Sequence, residues 1–156
     1  IRDFKVTGVQ TCALPISLRQ LGQGREASRR IAAALSALAK AGDLPQESLE
    51  AGSEAERILR AEADDLAARG HPAEAAAKYE RLLALALAGQ ISPEANLRHA
   101  ASLSRILRGV ARTQRLAGNL ERAEQLSRRN LELWQGWAAR LPANPFVTSQ
   151  IELARR

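Results

Sequence analysis

Arginine side chains at helical spacing are the most distinctive chemical feature of this 156-residue sequence. Arg105, Arg108, Arg112 and Arg115 follow one another at steps of three, four and three, which places them on one face of an α-helix. Guanidinium groups so close repel one another unless anions or carboxylates lie nearby. They also bind carboxylates through paired, charge-assisted hydrogen bonds. The row therefore predicts either a docking site for an acidic peptide or chain-terminal carboxylate, or a solvated face answered by neighbouring glutamates.

Other residue types that carry chemistry are poorly placed for it. His71 and His99 have no acidic or cysteine residue at ligand spacing, so we expect both at the surface. Asp64 and Asp65 would point about 100° apart on a helix and could not readily share a proton or a metal ion. The single Cys12 excludes a disulfide framework and a cysteine metal cage. We therefore expect no catalytic, metal-binding or cofactor-binding site, and no enzymatic activity.

The composition indicates which elements must position the arginines. Apolar residues make up 46% of the sequence and aromatic residues only 3%, with alanine and leucine dominant. These residues lose little entropy in a helix, so the sequence predicts an all-α fold. No run approaches the ~20 apolar residues of a membrane span, and a soluble, cytoplasmic chain is expected. The net charge of +6 leaves RNA or DNA binding open as the alternative, although few aromatic residues could stack on bases.

Internal repetition organises the sequence. Gly22, Gly70 and Gly118 stand 48 residues apart, each where a helix should end. An alanine follows each glycine at the same distance, where a small side chain lets two helices approach closely. A leucine also keeps this register in every repeat. These alanines and leucines are Ala27, Ala75, Ala123, Leu35, Leu83 and Leu131.

Punctuating residues predict the helix boundaries. Ser53 with Glu56 forms a predicted capping box, Pro72 opens a helix, and Ser92-Pro93 opens a longer one. Pro142 to Pro145 interrupts the chain near its end. Trp134 and Trp137 could form a binding hot spot, but we favour a role in sealing the end of the helical core. The predicted helices are 24–41, 53–69, 72–89, 92–117, 120–141 and 146–155.

The repeated pattern resembles the tetratricopeptide repeat: a turn glycine, an alanine five residues later, a bulky residue at Ile31 or Tyr79, and then a leucine. Apolar positions of that family's first helix match Leu59, Ala63 and Leu66 in one repeat and Leu107, Val110 and Ala111 in the next. The period exceeds the family's usual ~34 residues, and Ser127 replaces the third bulky residue. The resemblance implies a short right-handed solenoid of about six helices, turning at residues 22, 70 and 118.

The same resemblance assigns a partner-binding groove. In tetratricopeptide proteins the first helix of each pair lines the concave groove, and the four arginines match those groove-facing positions. Arg57 and Arg60 match them in the preceding repeat. The implied function is a non-catalytic scaffold that holds an acidic peptide or protein partner.

The first sixteen residues differ in character from the rest. Residues 1–3 and 6–16 resemble two fixed stretches of a translated DNA sequencing adapter, and Phe4-Lys5 falls where a variable index would lie. This resemblance implies a non-native, disordered segment followed by a repeat domain over residues 17–156. That domain resembles the C-terminal repeats of large bacterial serine/threonine kinases. It implies a regulatory or substrate-recruiting tail whose kinase domain would lie upstream.

Overall fold

A computed structural model describes residues 23–155, so the adapter-like segment and the turn at Gly22 lie outside the described residues. Within this range the fold is all-α, with six helices and no strand. The helices are α1 (Gly24–Ala41), α2 (Glu54–Ala68), α3 (Pro72–Ala88), α4 (Leu97–Leu116), α5 (Leu120–Arg140) and α6 (Pro145–Arg155). The predicted fold class is thereby confirmed at the level of an all-helical chain.

Five of the six described helices recur with the period of the sequence, whereas α2 starts 43 residues before α4. Helices α1, α3 and α5 begin at Gly24, Pro72 and Leu120, and α4 and α6 begin at Leu97 and Pro145, each time 48 residues apart. Gly70 and Gly118 follow α2 and α4 with φ angles of 85° and 86°, a left-handed conformation that glycine adopts without a Cβ penalty. The two turns that lie within the described residues are therefore where the sequence predicted them.

Consecutive helices pack against one another along the chain, and α2 also contacts α4. The three repeated alanines, Ala27, Ala75 and Ala123, are completely buried, which confirms that small side chains lie where helices approach closely. The main core lies between α2, α3, α4 and α5 and includes Tyr79 and Leu107. This arrangement places the first helices of successive pairs side by side, which matters for the arginines they carry.

A second apolar cluster closes the end of the chain around Trp134, Trp137 and Val147. Trp134 is fully buried and its Nε1–H donates to Ser104 Oγ at 2.8 Å. Trp137 Nε1–H donates to the Pro93 carbonyl at 2.8 Å. The predicted sealing position of both tryptophans is confirmed.

Two local predictions were wrong. Helix α4 begins at Leu97 rather than at Ser92-Pro93, because the Asn96 side chain accepts the N–H groups of the first turn. Only half of the capping box forms at α2: Ser53 Oγ accepts from Glu56 N at 3.2 Å, but Glu56 Oε2 accepts from Gly52 N at 2.6 Å instead of from Ser53.

In the described part of the chain, no helix has the length and apolar character that crossing a membrane requires.

Candidate functional site

The six predicted arginines lie on the two neighbouring helices α2 and α4. Arg57 and Arg60 belong to α2, and the other four to α4. Positions 57 and 60 correspond to 105 and 108 after one period of the repeat, so equivalent positions carry arginine on both helices. One helical turn after Arg60 and Arg108, Asp64 of α2 corresponds to Arg112 of α4. Equivalent positions of the two helices therefore carry two arginines near their starts and an aspartate with an arginine further along.

Four of these residues form what we call the arginine cluster: Arg57, Arg60, Arg105 and Arg108. All four side chains are half-buried. Burial and the charge of Arg60 lower the pKa of Arg105, with smaller contributions in the same direction from Arg108 and Arg57. Burial and the charge of Arg60 also lower the pKa of Arg108. The structure thus brings the arginines close enough that the ionised forms of Arg105 and Arg108 are disfavoured.

Two donor atoms of the arginine cluster have no acceptor. Nε of Arg57 and Nε of Arg108 are both buried, and neither has a hydrogen-bond partner among the described residues. A buried donor on a charged group without an acceptor costs free energy, because its water is lost and nothing replaces it. An anion that reached these atoms would remove that cost and the mutual repulsion together.

One carboxylate opposes the cluster. Glu56 is 1% exposed and raises the pKa of Arg105, although burial and the like charges outweigh it. Its Oε2 accepts hydrogen bonds from the Gly52 N–H and from the Ser102 hydroxyl, which ties the start of α2 to α4. Glu56 is therefore held inside the fold, with its Oε1 buried and without a hydrogen-bond partner among the described residues, and its charge only partly offsets the like charges that act on Arg105.

Arg112 differs from its neighbours in the row because it is paired. It forms an ion pair with Asp64, whose Oδ1 also accepts a hydrogen bond from the Tyr79 hydroxyl at 2.7 Å. Burial, and then the Asp64 charge, raises the pKa of Tyr79. For Arg112 the interpretation as a face answered by carboxylates therefore holds. Arg115 lies further along α4, exposed in its last turn, and is not part of the cluster.

The other polar residues singled out in the sequence have local partners. His71 is exposed and its Nδ1 lies 3.0 Å from Glu74, while Nδ1 of the half-buried His99 accepts from the Ser92 N–H at 3.1 Å. Asp65 is buried and binds Arg69 and Ser28, away from Asp64. Across residues 23–155, no group of three or more His, Cys, Asp or Glu side chains could hold a metal ion.

Sequence reasoning missed the carboxylates that decide the outcome. Asp64 could have been found, because it stands one period before Arg112 and first helices pack side by side. Glu80 could not, because its partner Arg122 lies 42 residues away, off the 48-residue register that relates α3 to α5. Glu56 was interpreted only as a cap, and its contact with Ser102 has no signal in the local sequence.

The arrangement can bind a negatively charged group, because it offers a half-buried surface of one sign with unused donors. Neither a protein-family model, nor a curated protein, nor a solved structure matches this chain.

Proposed function

We propose that this chain is a protein-interaction module whose arginine cluster holds an acidic segment of a partner protein. The observation that carries the proposal is the pair of buried, unpartnered Nε atoms on Arg57 and Arg108. Arginines that served only to solubilise a helix would extend into water or pair with carboxylates, as Arg112 does with Asp64. Binding, rather than catalysis, is the role that this concentration of donors supports.

The repeated architecture supports the same role. Helices α1, α3 and α5 start at a constant interval and α2 contacts α4, which is compatible with a short solenoid similar to tetratricopeptide repeats. In such a solenoid α2 and α4 would line the concave groove, and a peptide lying along it would pass over the cluster. This arrangement gives an extended partner additional contacts on both sides of its acidic residue.

The parent of this module would be a larger bacterial signalling protein acting in the cytoplasm, such as a serine/threonine kinase with a repeat tail. The role of the tail would be to recruit a substrate or regulator. Recovery of the full reading frame tests this part directly, since a frame without a kinase domain upstream would rule it out.

Binding of a fluorescent decaglutamate peptide to the whole chain, followed by anisotropy, tests the proposed interaction. The double variant Arg60→Gln/Arg108→Gln should weaken binding at least about tenfold, because charge-assisted hydrogen bonds contribute roughly 1.5–3 kcal/mol each. The control Arg128→Gln/Arg129→Gln removes the same charge from exposed positions of α5 and should change affinity less than about twofold.

Equal losses in the two double variants would show that net charge alone attracts the peptide, and would contradict the site. Decauridylate serves as the competing ligand for the nucleic-acid alternative. If it bound more tightly than decaglutamate, with a steep loss of affinity as salt rises, the protein-binding proposal would be replaced by RNA binding. The burial of Tyr79, Trp134 and Trp137 leaves none of these rings available to stack on bases.

A further inference from the structure

We infer that the group held by the arginine cluster is the phosphoryl group of a phosphorylated side chain in the partner, so that binding is controlled by phosphorylation. This inference rests on the proposed function, since it specifies the acidic partner of the same site. Charge, donor geometry and the limits of the cluster each support it.

Charge favours a dianion. The cluster holds four guanidinium groups, and the carboxylate of Glu56 is the one that acts on it from within. A bound carboxylate would add one negative charge and leave most of the repulsion in place. A phosphoryl group carries about −1.5 to −2 charges at pH 7 and would offset roughly twice as much.

Donor geometry favours a ligand with several oxygens. Arg57 and Arg60 approach from α2, and Arg105 and Arg108 from α4 at the matching positions of the repeat. A carboxylate offers two oxygens in one plane, which one or two guanidinium groups satisfy. A phosphoryl group offers three oxygens that point in different directions, so guanidinium groups on two helices can bind it together.

The ends of the cluster favour one phosphoryl group over a polyphosphate backbone. One turn beyond Arg60, the helices present Asp64 paired with Arg112, and the Asp64 side chain is 43% exposed. On α2 immediately before Arg57 stands Glu56, bonded to Gly52 and Ser102. A nucleic-acid strand needs a cation at each successive phosphate, whereas this surface offers one concentrated positive site with the exposed Asp64 carboxylate at one end and the buried Glu56 beneath it.

Three fluorescent peptides with the same glutamate-rich flanks, and with phosphoserine, glutamate or serine at the centre, test the inference on the whole chain. The phosphoserine peptide should bind about tenfold more tightly than the glutamate peptide, the gain expected from one or two additional charge-assisted hydrogen bonds. The serine peptide should bind most weakly.

The variant Arg60→Lys/Arg108→Lys separates geometry from charge, because lysine keeps the charge but cannot form paired hydrogen bonds. It should reduce the preference for phosphoserine over glutamate to less than about threefold. Arg128→Lys/Arg129→Lys on α5 is the matched control and should leave the preference unchanged. Far-UV circular dichroism establishes that each variant is folded.

The outcomes distinguish the inference from the proposal beneath it. Equal affinity for the phosphoserine and glutamate peptides would overturn the phosphoryl inference and leave the acidic-peptide site standing. Absence of binding by all three peptides would overturn both. Displacement of the phosphoserine peptide by inorganic phosphate at equal concentration would assign the site to a free anion, which also overturns the inference.

Discussion

Two regions of this molecule use arginine in opposite ways. In the arginine cluster, between α2 and α4, burial and neighbouring like charge lower the pKa of Arg105 and Arg108. Where α3, α4 and α5 meet, a hydrogen bond to Glu80 raises the pKa of Arg122. In the arginine cluster the neighbouring charges repel one another, whereas in the second region an arginine and a carboxylate of opposite charge attract each other.

The second region, which we call the Glu80 junction, is a network of hydrogen bonds among Glu80, Gln114, Asn119 and Arg122. Arg122 Nε and Nη2 donate to the two oxygens of Glu80 at 2.9 and 3.0 Å. Gln114 Nε2 donates to Glu80 Oε1 at 2.9 Å, and Asn119 Nδ2 donates to Gln114 Oε1 at 2.7 Å. These bonds link three helices, and both carboxylate oxygens of Glu80 accept hydrogen bonds within the fold.

The comparison shows that helical spacing identifies an arginine face but not its purpose. Arg112 shares a row with Arg105 and Arg108, yet it is paired because Asp64 stands opposite on α2. The opposing helix therefore decides whether an arginine stabilises the fold or remains available for binding. Tyr79 and Glu80 are consecutive on α3. Tyr79 donates to Asp64 at the edge of the arginine cluster, and Glu80 accepts from Arg122 in the Glu80 junction.

The largest effect is expected from Gly109→Ala, which would displace Tyr79 and so disturb the Asp64–Arg112 pair at the edge of the arginine cluster. A Cβ at this position would lie 2.2 Å from Cε1 of the buried Tyr79 ring. The ring must then move, and with it the hydrogen bond to Asp64. We expect the free energy of unfolding to fall by about 2–3 kcal/mol, as for an overpacked core. Urea unfolding followed by circular dichroism measures it.

Gly136→Ala is the matched control for that variant. A Cβ there meets no atom within 4 Å. Alanine should therefore stabilise α5 by about 0.5–1 kcal/mol through helix propensity. A similar loss of stability in both variants would contradict the close packing of the Tyr79 ring against Gly109.

The next effect in size comes from Arg60→Glu, which would convert the arginine cluster into a paired region like the Glu80 junction. The new carboxylate would face Arg105 and Arg108 and occupy their donors. Decaglutamate binding should weaken more than about tenfold, which corresponds to about 1.4 kcal/mol. Chain stability should stay the same or rise, because repulsion is relieved. A marked loss of stability would indicate that Arg60 has a structural role instead.

Double-mutant cycles should give coupling free energies of opposite sign in the Glu80 junction and in the arginine cluster. The cycle of Glu80→Gln with Arg122→Gln should give a favourable coupling of about 0.5–1 kcal/mol, typical of a partly exposed ion pair. The cycle of Arg60→Gln with Arg108→Gln should give an unfavourable coupling of about 0.3–0.5 kcal/mol, as for like charges at close positions. Couplings of the same sign would remove the distinction between the regions.

Sequence predicted the elements better than their contacts, for physical reasons. The starts of α1, α3 and α5 follow from local residues, since proline fixes φ and glycine permits the left-handed turn wherever they occur. The start of α4 was misplaced because Asn96 and Ser92-Pro93 are both good initiators, and it is the Asn96 side chain that accepts the N–H groups of the first turn. The arginine row was visible at helical spacing, but its division into paired and unpaired members depends on Asp64 and Glu80, which lie on other helices.

The smallest effect separates the two regions by pH. The bond from Arg122, with a smaller contribution from Gln114, holds the pKa of Glu80 below its usual value of 4.5. Its contribution to stability is therefore complete above that value and is lost as pH falls through the lower, folded pKa. Because Glu80 is partly exposed, solvent screening limits this contribution to about 0.5 kcal/mol.

Wild type should accordingly exceed Glu80→Gln in free energy of unfolding at pH 6, and the difference should shrink as pH falls from about 5 to 3. Urea unfolding at several pH values in this range measures it. Arg128→Gln, which removes an exposed α5 charge outside the junction, should keep a constant difference from wild type. A Glu80→Gln difference that did not change with pH would mean that the Arg122 pair contributes packing rather than charge, and the Glu80 junction would lose its electrostatic contrast with the arginine cluster.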